Sequence, residues 1–137
     1  MPRLDDCHEQ VVHALEKDGW SVDHRPRRLI HEERLVFIDI QAAKGVNGSR
    51  QQILLAEVKC FPDRERTTQE LYIAFGQYII YRALLAQEEI NLPLYLAVPL
   101  DAYGDIFDST VQRAISDNKI KLVIVNLETE TIAQWRE

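Results

Sequence analysis

Long apolar runs are missing from this sequence. Its longest candidates, such as residues 94–100, are strand-sized and fall well short of the ~18 apolar residues a membrane-spanning helix requires. No membrane association is therefore expected. Cysteine is scarce: Cys7 and Cys60 are the whole complement, too few for a disulfide framework or a four-thiolate zinc site. Five glycines and five prolines exclude a collagen-like or low-complexity chain. A basic excess is lacking too. Sixteen Lys and Arg stand against 22 Asp and Glu, a net charge of −6, which argues against a generic DNA-coating protein. No P-loop, dinucleotide-binding glycine pattern or serine–histidine–acid arrangement occurs. The opening Met1-Pro2-Arg3-Leu4-Asp5-Asp6 is polar and acidic, without a hydrophobic signal core, so a cytoplasmic protein is expected.

What is present is the composition of an ordinary globular domain, with 46% apolar and 28% charged residues in 137. That length predicts one domain over residues 1–137, able to bury roughly two-thirds of its unfolded surface. The charge is uneven. Residues 67–137 hold five basic and ten acidic side chains, whereas residues 1–66 are nearly balanced and carry Arg25, Arg27, Arg28, Arg34, Lys44, Arg50, Lys59, Arg64 and Arg66. Any contact with a phosphate chain should fall in that first half.

Periodicity predicts a first helix capped by Asp5 or Asp6 and ending at Gly19, with Val11, Val12 and Leu15 inward. A short strand at 20–22 and a break at Arg25-Pro26 follow. Residues 35–40 and 52–61 read as two strands of an antiparallel hairpin, with turn chemistry in Gly45, Asn47 and Gly48 between them. Thr67 and Glu70 fit a capping box opening a long helix. A strand at 93–99, a helix at 105–117, a strand at 121–127 and a short last strand at 131–135 complete the chain. Helices between strands imply parallel crossovers, so the expected fold is a mixed sheet with helices on both faces.

The hairpin carries the candidate chemistry. Glu57 and Lys59 lie two apart on a strand and so share a face, and Asp39 lies on the paired strand. Two neighbouring carboxylates repel, more so when buried. Magnesium or manganese relieves that repulsion, taking one or two carboxylates plus water and phosphate oxygens. Such an ion acidifies a bound water and neutralises charge growing on a phosphate, while a lysine beside it stabilises the transition state. An acid-x-lysine triplet is weak evidence alone; Asp117-Asn118-Lys119 is a second copy. A solvent-facing Glu57–Lys59 salt pair is the plain alternative. Against it stands the apolar run Ile53-Leu54-Leu55-Ala56, which predicts a strand covered on both faces, where a charge is costly unless paired or metal-bound.

These residues resemble the core of the PD-(D/E)XK nuclease superfamily, with its restriction-endonuclease-like fold: Phe37-Ile38-Asp39, then Ala56-Glu57-Val58-Lys59, with Glu9 on the first helix and Gln77 on the helix after the motif. Over its whole length the chain resembles the XisH family, cyanobacterial fdxN element excision controlling factors, through His8-Glu9, Asp39, residues 56–61, Gly76-Gln77-Tyr78 and Tyr81-Arg82. The resemblance implies Asp39 and Glu57 as metal ligands, with the Val58 carbonyl as a third and Glu9 as an outer carboxylate. Lys59 would be the catalytic lysine, and Gln77 would orient the site. One departure is Ile38 where the superfamily name has proline. The implied role is that of an accessory factor in programmed DNA rearrangement, acting on DNA beside a XisI-type partner. A catalytically inactive, regulatory nuclease fold is the alternative.

Other residues invite plainer readings. Cys60 reads as a small buried apolar residue, and a zinc site from Cys7, His8 and Cys60 has no supporting spacing. His8 reads as a surface or site-rim residue; His24 and His31 fall in loop-like sequence. Tyr72, Tyr78 and Tyr81 read as core before base-stacking, and Arg25-Pro26-Arg27-Arg28 as a solvated basic turn that is also a candidate phosphate contact. A nuclease of this size cuts both strands most simply as a two-fold homodimer.

Overall fold

A computed structural model describes residues 6–45 and 50–137. Helix α1 (His8–Lys17) leads to β1 (Ser21–Val22), then β2 (Arg27–His31), β3 (Arg34–Ile38), β4 (Ile40–Lys44) and β5 (Gln52–Val58). A short 3-10 turn (Arg64–Arg66) enters α2 (Thr67–Gln87), followed by β6 (Leu94–Pro99), α3 (Leu100–Ile106), α4 (Ser109–Asp117), β7 (Lys121–Asn126) and β8 (Thr131–Arg136). Six strands form one sheet in the order β1-β4-β5-β6-β7-β8, and β2 and β3 form a separate two-stranded ribbon. The pairs β5–β6 and β6–β7 are parallel and the others antiparallel. The expected mixed sheet is therefore present.

Both parallel connections step the same way across the sheet, and right-handed crossovers then put their helices on one face. Helices α2, α3 and α4 bury Leu71, Ala74, Tyr78, Ala102, Ile106 and Ile115 against Leu55, Leu96, Val98, Leu122 and Ile124. On the other face α1 buries Val11, Ala14 and Leu15 against Ala42, Leu54, Ala56, Val58, Ala97 and Val123. Tyr78 ties α2 to the sheet: its hydroxyl donates to the Leu94 carbonyl at 2.7 Å and accepts from the Lys121 N–H at 3.1 Å. Among the described residues no helix is long and apolar enough to cross a membrane.

Several local expectations are corrected. The strand read over 35–40 is broken at Asp39, because β3 pairs with β2 whereas β4 pairs with β5. β2 itself takes up Arg27, Arg28 and His31, which read as loop. Strand β5 ends at Val58 rather than 61. Phe61, buried, takes φ +53° just beyond, a left-handed conformation that costs a bulky residue roughly 1–2 kcal/mol and turns the chain away from the sheet.

Helix caps also differ. α1 is headed by Cys7 without a side-chain cap, so Asp6 does not cap it, and Asp5 lies outside the described residues. Gly19 does follow the helix end, at φ +96°. The Thr67–Glu70 capping box is absent: Arg66 heads α2, Thr67 donates its hydroxyl to the Arg64 carbonyl, and Asp63 caps the preceding 3-10 turn. The helix expected over 105–117 is split into α3 and α4, with Asp108 accepting from the Val111 N–H as a fresh N-cap. Of the hairpin tip, Asn47 and Gly48 lie outside the described residues.

Cys60 is not a free apolar filler. It is buried and disulfide-bonded to Cys7, with 5.8 Å between their Cα atoms. The bridge joins the start of α1 to the segment leaving β5. It also removes both thiolates that a zinc site would need.

Candidate functional site

The parity of β5 decides where its side chains go. Leu54, Ala56 and Val58 enter the α1-side core, while Leu55 enters the α2-side core. Glu57 and Lys59 have the parity of Leu55 and so face α2. Glu57 is only 5% exposed and is the one buried charged side chain among the described residues. A solvent-facing salt pair is thereby excluded for it.

Asp39 meets it through the bend. In the β4–β5 register Ile40 stands opposite Ala56, so the next position sets Asp39 opposite Glu57. Side chains replace the ladder there. The Asp39 N–H donates to Glu57 Oε1 at 3.2 Å, and the Val58 N–H donates to Asp39 Oδ2 at 2.9 Å. Each carboxylate thus takes a backbone donor from the other strand. A neutral amide would satisfy those donors equally well, so backbone pairing alone does not explain two acids. Their charge is expensive: burial first, and the Asp39 charge second, push the Glu57 carboxyl up to about 8, against the pull of its hydrogen bond and of Lys59.

Helix α2 lies on this side of the sheet and brings Tyr81 within reach of the pair's charge. Glu70, Gln77 and Tyr81 recur at helical spacing. Glu70 lines a cavity of about 170 Å³ with Lys59, Phe61, Pro62 and Ile73. Gln77 Oε1 is buried with no hydrogen-bond partner. Burial, and then the carboxylates of Glu57 and Asp39, raise the Tyr81 phenol above its usual range. Sequence patterning marks Tyr81 as core and Glu70 as a cap; the i+7 and i+11 spacing from Glu70 to Gln77 and Tyr81 is the signal that sets the three on one face.

Glu9 is exposed on α1, two residues after the disulfide-bonded Cys7, and its charge acts on His13. The charges acting on Glu57 are those of Asp39 and Lys59.

The donor set can be tested against a divalent ion. Among the described residues no group of three or more His, Cys, Asp and Glu is placed to hold a metal, which argues against a zinc-type cage. Two hard carboxylates do suit magnesium, which keeps most of its waters.

Comparison with known proteins completes the picture. The XisH protein family profile matches residues 1–133. A solved XisH family protein from Nostoc punctiforme PCC 73102 superposes with a TM-score of 0.85 at 33% identity, covering 97% of this chain and 100% of its own. A fdxN element excision controlling factor protein from Anabaena variabilis gives 0.85 and 32% over the same shares. No curated protein matches the chain.

Proposed function

The chain belongs to the XisH protein family, and from that premise we propose that it is a restriction-endonuclease-like factor for DNA element excision with a magnesium- or manganese-dependent phosphodiesterase site. One observation carries the reading: the buried Glu57 carboxylate held against Asp39 across a broken strand, with Lys59 on the same face. The fdxN excision role described for the Anabaena variabilis relative supplies the DNA context.

Asp39 and Glu57, with the Val58 carbonyl, would hold the ion. When bound, it supplies charge neutralisation at a phosphate and a more acidic water. The rest falls to the chain's own groups. Lys59 presents an ammonium to a phosphate oxygen as negative charge grows there. Glu70, in the cavity beside Lys59, orients that ammonium. Gln77 directs its amide oxygen toward a water proton, and the Tyr81 phenol, kept neutral by its neighbours, offers a hydroxyl donor. Tight packing of α2 keeps these groups preorganised.

Incubation of the purified chain with plasmid DNA and magnesium or manganese tests the reading. Cleavage is expected, and Asp39→Ala and Lys59→Ala should each lower it at least about 100-fold while the circular dichroism spectrum is kept. No cleavage, where a control nuclease works, would oppose it. A second reading, a non-catalytic subunit for a XisI-type partner or a second copy, draws on the exposed Tyr72, Ile73 and Ile80 along α2. It predicts stable protein association and no effect of Lys59→Ala.

A further inference from the structure

We infer that the β2–β3 ribbon is the arm along which the backbone of DNA is held beside the carboxylate pair, with Arg27 and Arg28 as its phosphate contacts. This rests on the phosphodiester reading above and adds to it the surface that carries the substrate.

The ribbon is joined directly to the site. Its register pairs Arg27 with Ile38 and Arg28 with Phe37, the two positions just before Asp39. Charge is uneven along it. Arg25, Arg27 and Arg28 lie toward the end next to Asp39, with Asp23 nearby in sequence, while at the far end Glu32 and Glu33 in the turn are flanked by His31 and Arg34. A polyanion approaching two carboxylates is repelled unless cations stand close by, and these arginines stand at the end where that repulsion acts.

The two side chains are placed differently. Leu29 is buried in the α2-side core, so Arg27 shares the inner side of the ribbon and Arg28 the outer, exposed side. Arg27 donates through Nη1 to Gln41 Oε1 at 2.8 Å in a partly buried contact. Gln41 lies two residues beyond Asp39 and stands opposite Leu55, whose side chain is on the α2 side like that of Glu57. A neutral amide thus fixes the guanidinium beside the site without neutralising it. Among the described residues the arginines held in ion pairs with carboxylates are Arg64, Arg66 and Arg113. Arg27 and Arg28 keep their charge and most of their five donors for a phosphate, which a guanidinium grips bidentately.

Fluorescence anisotropy of labelled duplex and single-stranded DNA, in chelator and across a salt series, tests this. Wild type should bind with a salt-dependent affinity. Arg28→Gln, an exposed change, should weaken binding several-fold, and Arg27→Gln with Arg28→Gln about tenfold or more, lowering the log–log salt slope by about 2, near 0.9 per lost phosphate contact. Arg113→Gln on α4 should bind as wild type. Manganese-dependent cleavage is measured in parallel. Cleavage with undiminished DNA binding by Arg28→Gln and by the double variant sinks the ribbon inference alone. Wild type that neither binds nor cleaves sinks the phosphodiester reading and this inference together.

Discussion

Strand β5 has two unlike faces. Toward α1 it presents Leu54, Ala56 and Val58, sealed by Val11, Ala14 and Leu15 and stapled by the Cys7–Cys60 disulfide just beyond. Toward α2 it presents Leu55 and then Glu57, with Lys59 just beyond its end, so that the apolar pattern gives way to charge. The first face gains from every contact it makes. The second holds a carboxylate whose proton affinity is raised by burial and by a second carboxylate, an arrangement that weakens the fold unless something else benefits. One face secures the sheet, and the other holds two acids at an electrostatic cost.

The contrast can be broken by moving each face separately. The largest effect is expected from Asp39→Asn, which keeps an oxygen acceptor for the Val58 N–H but removes the charge. DNA cleavage should fall by about 100-fold or more, while the urea unfolding midpoint stays or rises. A large loss of stability with cleavage intact would give Asp39 a purely structural role. Next comes the opposite face. Cys7→Ser with Cys60→Ser, or reduction, opens a link across 53 residues of sequence, and stability should drop by about 2–4 kcal/mol, measured by denaturant melts, with cleavage per folded molecule unchanged.

A smaller effect is expected from pH. The Glu57 carboxyl sits at about 8 in the folded chain against 4.5 for an ordinary glutamate, so the folded state binds its proton more tightly than the unfolded state. The associated stability is fully present below about pH 4.5 and is lost as pH rises through about 8. Melts in chelator between pH 5 and 8.5 should show this decline, and Glu57→Gln should flatten it. A wild-type profile as flat as the variant's would show that the pair is not strained. The smallest change is Tyr81→Phe, which removes a hydroxyl and little packing; cleavage should fall only a few-fold, read as kcat at fixed metal.

Much of this contrast is legible in the sequence, and for a clear reason. A period of two forces Glu57 and Lys59 to one face whatever the tertiary fold, and the apolar run before them marks a strand covered on both sides. Strands at 94–99 and 121–126 and the long helix at 67–87 follow from patterns that packing did not overrule. The bend at Asp39 carries no glycine or proline to announce it; it arises because the chain changes partners there, from β2 to β5. Strand β2 was hidden because Arg27-Arg28 after a proline has the composition of a turn. Glu9 is named through resemblance alone, and the apolar stripe Val11, Ala14 and Leu15 leaves it exposed on α1. Nothing local links Cys7 to Cys60; only the docking of α1 does.

The most direct measurement is manganese binding to the intact chain, followed by anomalous diffraction from crystals soaked in that metal. One peak is predicted within bonding distance of both the Asp39 and Glu57 carboxylates, with binding abolished in Asp39→Asn. A soaked crystal in which the two side chains stay together and no manganese lies between them would contradict the assignment of this pair as a metal site.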